Sequence, residues 1–132
     1  MSSSISNGAS RGDRVLFLTI PDLAFLEALS KQLPQGIVVC LGDREAVYEH
    51  RRAGAHLDNV MFVAATPDEI PWQDGFFNWV SDEGAPAELG VYREVLRVLA
   101  PGGALVARSL DSSRLEQAGL RRDGEFLRKP EA

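Results

Sequence analysis

With 132 residues, 45% of them hydrophobic and 25% charged, the chain has the make-up of one soluble globular domain with a single core and little to spare. Its 14 basic and 19 acidic residues leave a net charge of −5 with the basic side chains scattered, so neither nucleic acid nor a membrane surface is an expected partner. No apolar stretch approaches the ~20 residues of a membrane span, and a single cysteine, Cys40, excludes an intrachain disulfide and suits a reducing cytoplasm.

In chain order, residues 1–12 read as a polar, Ser-rich, disordered leader without the apolar segment of a signal peptide, ahead of a single domain over residues 13–132. Arg11-Gly12-Asp13 matches an integrin-binding tripeptide, but three residues carry no weight in such a chain. Val15-Leu16-Phe17-Leu18 is a continuous apolar run, as a strand buried on both faces requires. Pro21 suits the first turn of a helix with the stripe Leu23, Leu26, Leu29 and Leu33, which Pro34-Gln35-Gly36 stops. Ile37-Val38-Val39-Cys40-Leu41 is a second buried strand in which Cys40 is an inert thiol, and Gly42-Asp43 ends it. Ala46, Val47, His50 and Ala53 line one face of a second helix that Gly54 closes.

Val60-Met61-Phe62-Val63 centres a third strand, and Pro67 and Pro71 break the chain into a loop behind it. The aromatic-rich Phe76-Phe77-Asn78-Trp79-Val80 is a fourth strand. Leu89, Tyr92, Leu96 and Leu99 stripe a third helix up to Pro101-Gly102-Gly103, with Ala104-Leu105-Val106-Ala107 as strand five. Ser113 to Gly119 reads as a short helix, and Leu120 to Arg122 pairs with Glu125 to Arg128 as a hairpin about Asp123-Gly124. Strands alternating with helices at this spacing predict a three-layer α/β domain with a mostly parallel sheet and a short antiparallel C-terminal hairpin.

Two segments are more specific. In the first, Asn59 to Ala64 leads through a loop containing Ile70-Pro71-Trp72 and Asp74-Gly75 into the fourth strand. In the second, Tyr92 to Leu99 runs into Ala100-Pro101-Gly102-Gly103-Ala104-Leu105-Val106. Their order resembles the third-to-fifth-strand half of class I S-adenosylmethionine-dependent methyltransferases of the type 11 subgroup, over about Arg14 to Leu110. The resemblance implies a Rossmann-like methyltransferase fold, with the cofactor across the carboxyl ends of the strands at the topological switch point.

Most cofactor positions depart from the family's residues. The glycine-rich motif after strand one lets the backbone approach the cofactor with no Cβ in the way; here Thr19, Pro21 and Leu23 stand at the three glycine positions, and Phe17 replaces the motif's acidic residue. At the end of strand two the resemblance implies a ribose-binding carboxylate. Gly42 aligns there and Asp43 follows it, able to serve as ribose ligand or as helix cap. Thr66 stands near an adenine-binding acid's position, with Ile70 and Trp72 as the apolar wall, Trp72 equally suiting the core. Ser81, Asp82 and Glu83 follow strand four, where the resemblance implies Ser81 as a cofactor contact and Asp82 and Glu83 could position or deprotonate a substrate, or simply be solvated. Two separated histidines and one cysteine suggest no metal site. The short tail after Leu110 carries nothing that looks like a substrate cap.

The expected cofactor is therefore S-adenosylmethionine or none. The favoured expectation is a methyltransferase-like domain with weak or lost cofactor binding that serves as a non-catalytic interaction or regulatory module, with a protein partner or a second copy of the chain. A divergent active methyltransferase and a module for another nucleotide-like ligand are the alternatives.

Overall fold

The computed structural model describes Ile5 and residues 8–131. Strand β1 (Arg14–Phe17) is followed by α1 (Leu23–Gln32), β2 (Ile37–Gly42), α2 (Arg44–Ala53) and β3 (Val60–Ala64). The chain then returns through β4 (Phe77–Ser81), α3 (Leu89–Val98), β5 (Leu99–Val106), α4 (Ser112–Gln117), β6 (Arg121–Asp123) and β7 (Phe126–Arg128). The sheet order is β3-β2-β1-β4-β5-β7-β6. Every pair from β3 to β5 is parallel, and β7 runs antiparallel to both β5 and β6. The chain starts at the centre, builds outward to β3 and then crosses to β4, which puts the switch point between the carboxyl ends of β1 and β4.

Two apolar layers explain why the central strands are apolar throughout. Leu16, Val39, Leu41, Val80 and Leu105 pack against Val91, Val95 and Val98 of α3 and Leu115 of α4. On the other face Val15, Phe17, Val38, Cys40 and Phe62 pack against Leu26, Leu29 and Leu33 of the α1 segment and Val47 of α2. Burial pushes the Cys40 thiol up to about 12, which keeps it protonated and inert.

Caps set where α1, α2 and α4 begin. The carboxylates of Asp22, Asp43 and Asp111 accept from the backbone N–H of Phe25, Ala46 and Ser113. Pro21 thus precedes the cap of α1 instead of opening its first turn. In β4 the register shifts between Phe77 and Trp79, and the Asn78 side chain there accepts from Arg14 N–H at 2.8 Å. The irregularity sends Phe77 and Val80 to the α3 face and Trp79 to the opposite one.

Two expectations shift. Strand β5 begins at Leu99, not Ala104, because Leu99 pairs with Phe77; Pro101-Gly102-Gly103 is a kink inside the strand, not a turn before it. Gly102 has φ +79°, and a Cβ on Gly103 would lie 2.8 Å from the Ala100 carbonyl oxygen, so both positions require glycine. The hairpin turns on Gly124-Glu125, since Asp123 pairs with Phe126 and Gly124 has φ +64°. At the N-terminus, Ile5 is wholly buried in the α1-side layer, Ala9 N–H donates to Ile5 O at 2.8 Å, and Gln32 Nε2 donates to Ala9 O at 3.0 Å. The expected leader spans residues 1–12, of which residues 1–4, 6 and 7 lie outside the described residues.

The loop from β3 to β4 is lashed to α3. Arg97 donates to the carbonyls of Ile70 (2.8 Å) and Trp72 (2.7 Å) and to Asp74 Oδ1 (2.8 Å), while Glu94 accepts from Ile70 N–H and from Arg97. This network fixes a proline-broken segment at the amino end of β4.

Candidate functional site

A crevice of about 690 Å³ opens at the carboxyl ends of β1, β2 and β3. Its walls are mostly apolar: Leu18, Leu41, Ala64, Ala65, Pro67, Ala85 and Pro86. Thr19, Asp43, Thr66, Arg44 and His50 supply its polar groups. A second cavity of about 170 Å³ lies toward β4, lined by Phe17, Pro21, Asp22, Phe25, Ser81 and Glu83. Thr19 and Ile20 line both, so these two residues form the wall between them.

Local chemistry holds that wall in place. Thr19 Oγ1 donates to the Glu83 carbonyl oxygen at 2.7 Å, tying the loop after β1 to the loop after β4. Gly84 sits beneath Thr19 with φ +81°, and a Cβ there would come within 2.9 Å of Thr19 Cγ2. Ile20 lies across the end of β2: a Cβ on Gly42 would stand 2.7 Å from Ile20 Cδ1 and 3.3 Å from Cγ1. The side chain thus covers the backbone where the resemblance implies ribose recognition.

The predicted residues divide between several places. Thr19, Asp43 and Thr66 come together on the large crevice. Ser81 and Glu83 share the small cavity with Thr19, Ser81 being almost fully buried. Asp43 Oδ1 caps α2 by accepting from Ala46 N–H at 2.8 Å. Ile70 and Trp72 line neither cavity: Ile70 is buried in the α3-side core, and Trp72 packs its ring on Phe76 and Phe77. The apolar wall of the crevice comes from Ala64, Ala65 and Pro67 instead.

Asp82 has no exposed surface and accepts from the N–H groups of Arg108 (2.6 Å), Ser109 (3.0 Å) and Leu110 (2.9 Å). Burial pushes its carboxyl up, against the downward pull of those donors. Its visible work is to fasten the loop after β5 to the end of β4.

Ile20, Arg44 and His50 line the crevice and were not singled out as site residues from the sequence, and two of them carry a readable signal. Ile20 is one; an apolar β-branched residue directly after a strand, facing a glycine on the neighbouring strand, was the available signal. His50 is the other, expected only as a packed histidine. Its Nδ1 pairs with Ala46 O at 2.7 Å and its ring tilts against Phe62 at 5.6 Å, yet it also lines the crevice. Among the described residues no group of three or more His, Cys, Asp or Glu could hold a metal ion, and no helix is long and apolar enough to cross a membrane.

No protein-family model and no curated protein matches the chain. Solved structures do match. A SAM-dependent methyltransferase from Aquifex aeolicus aligns with a TM-score of 0.69 at 20% identity, over 95% of this chain and 84% of its own. The YcgJ protein from Bacillus subtilis gives 0.61 at 20% identity over 97% and 60%. A chain from the complex between the Haloferax volcanii Trm112 methyltransferase activator and a methyltransferase gives 0.66 at 20% identity over 86% and 63%. Across the solved chains compared, this chain spans from 38% to 84% of their length. At such identities the likeness speaks to architecture, and there it is consistent with the strand order and the crevice: the chain has the class I S-adenosylmethionine-dependent methyltransferase fold.

Proposed function

We propose that this chain is a methyltransferase-fold domain that has lost the family's mode of holding S-adenosylmethionine and acts as a non-catalytic interaction or regulatory module in the cytoplasm. One observation carries the reading: the Thr19–Ile20 wall, bonded to Glu83 and laid over Gly42, divides the cleft that an extended cofactor would have to cross. The chemistry of the donor set agrees with it. Among the described residues Asp43 is the single carboxylate lining the large crevice, and one of its oxygens is engaged in capping α2. The residues present therefore do not fit the cofactor in the implied pose, and no methyl-transfer step is derived through it. A protein partner is in keeping with a neighbouring structure in which this fold is found with a methyltransferase activator.

Titration calorimetry with S-adenosylmethionine and S-adenosylhomocysteine tests the proposal. The expected result is no saturable heat and no thermal shift at millimolar cofactor. Sub-millimolar binding that is lost on Asp43→Ala would overturn it, and would return the chain to the divergent active methyltransferases.

A further inference from the structure

The sheet ends in two edge strands, and they are built differently. Strand β6 is three residues long and consists of Arg121, Arg122 and Asp123, all exposed, a charged edge that resists pairing. Strand β3 is five residues long, Val60-Met61-Phe62-Val63-Ala64, with no charge and no proline, and Met61 in it is 42% exposed. We infer that the free edge of β3 is an interaction surface, and that it takes an extended strand of a protein partner in which apolar side chains alternate with carboxylates. This rests on the reading of the chain as an interaction module.

Backbone geometry supplies the template. Val38 N–H donates to Asn59 O at 2.8 Å and Ala65 N–H to Gly42 O at 3.2 Å, so the odd-numbered residues along β3 turn their peptide groups toward β2. Those of Val60, Phe62 and Ala64 point away from the sheet. Val60 N–H is taken by Leu57 O at 3.4 Å, whereas the N–H groups of Phe62 and Ala64 have no partner among the described residues. An incoming strand supplies the missing acceptors.

Side chains choose the occupant. A groove of about 260 Å³ runs along this edge, lined by Ala55, Leu57, Val60, Met61 and Val63, with Arg51 as its one charged residue among those described. Arg51 Nε donates to Phe62 O at 3.1 Å, which holds the guanidinium at the middle of the edge. The chain as a whole is acidic, yet the last turn of α2 carries His50, Arg51 and Arg52. A carboxylate on the α2 side of an added strand meets Arg51, while the alternate side chains lie beside Met61 and Val63 on the other face. A second copy of the chain does not meet these terms. Antiparallel pairing of two β3 strands about Phe62 would bring both Arg51 guanidiniums to the two-fold axis.

The probes are a short blocked peptide of alternating valine and glutamate and its valine–lysine counterpart. Amide resonances and amide hydrogen exchange of the isotope-labelled full chain are followed. The valine–glutamate peptide is expected to bind with a Kd of about 1 mM or tighter and to shift β3 and the last turn of α2. Near saturation it should slow exchange at Phe62 and Ala64 by about fivefold or more, and leave Met61 and Val63, which face β2, unchanged. The valine–lysine peptide should bind about tenfold more weakly or worse. Arg51→Ala, an exposed position, should bring the two peptides within about threefold of each other, and Arg51→Glu should reverse the preference. Silence with the valine–glutamate peptide, or shifts confined to another face, overturns the inference and leaves the proposed function standing. Equal binding of both peptides by the wild-type chain overturns it too, as does a charge preference that survives Arg51→Ala. Sedimentation that shows self-association through β3 overturns it in favour of a second copy. Saturable binding of S-adenosylhomocysteine overturns the proposed function instead.

Discussion

Asp82 accepts three backbone N–H donors with no surface exposed to water, so it joins two loops at the floor of the switch point. In Asp82→Asn one oxygen becomes an NH2 group, which turns a donor toward a backbone N–H that needs an acceptor. Leaving a buried donor unmade costs about 1–3 kcal/mol, and the loss of charge assistance adds to it. Asp82→Asn is therefore expected to lower unfolding free energy by about 2–3 kcal/mol in urea titration, with the slope of the transition unchanged. A variant as stable as the wild type would remove Asp82 from the list of structural anchors. The sequence places this residue correctly after strand four, yet a carboxylate in an Asp-Glu-Gly loop looks the same whether it faces substrate or backbone. Only the return of the loop after β5 decides it. Thr19, Asp43 and Thr66 were legible together because strand order alone brings the three strand ends side by side. Ile20 was not, because its effect depends on Gly42 across the sheet.

At the scale of elements, α3 and the β3–β4 loop are one unit through Glu94 and Arg97. The hydrogen bond from Arg97 holds the Glu94 carboxyl below its usual range, outweighing the opposing effect of burial. A carboxyl lowered in the folded state adds stability above its unfolded value near 4.5, and that stability drains away as pH falls through the lower, folded value. Asp82 behaves in the opposite sense: its folded value is raised, so its contribution weakens as pH climbs from the unfolded value through the folded one. Glu94→Gln should therefore destabilise the fold at neutral pH by about 1–3 kcal/mol and flatten the acid side of the stability profile below pH 4.5. Thermal unfolding between pH 3 and pH 7 reads both effects, the range being set by carboxyl titration. An acid limb as steep in the variant as in the wild type would assign acid sensitivity to other carboxylates. The elements themselves were mostly readable, since strands buried on both faces need unbroken apolar runs. The start of β5 was misplaced because Pro-Gly-Gly signals a turn, whereas here Leu99 is already paired with Phe77 before the kink.

For the whole molecule the question is where the domain begins, and Ile5 poses it most sharply. A chain of 132 residues has few side chains to spend on two apolar layers, and the α1-side layer draws one from a segment whose serine-rich composition reads as solvent-exposed. Ile5 is fully buried there, and a Cβ on Gly8 would come within 2.6 Å of the Trp79 ring, so the segment approaches the sheet closely. Trp79 in turn donates to Asp13 Oδ2 at 3.0 Å and meets Phe126 edge to face, linking this segment to β4 and β7. If Ile5 belongs to the core, Ile5→Ala removes buried apolar surface and leaves a void, at a cost of about 2–5 kcal/mol. Against the roughly 5–15 kcal/mol that holds a small domain folded, such a loss would move the urea midpoint well outside experimental scatter. If residues 1–12 are a disordered leader, the same substitution changes nothing. An unfolding free energy within about 0.5 kcal/mol of wild type, the range of ordinary surface substitutions, would place the start of the domain at Asp13; a large drop would extend it to include Ile5.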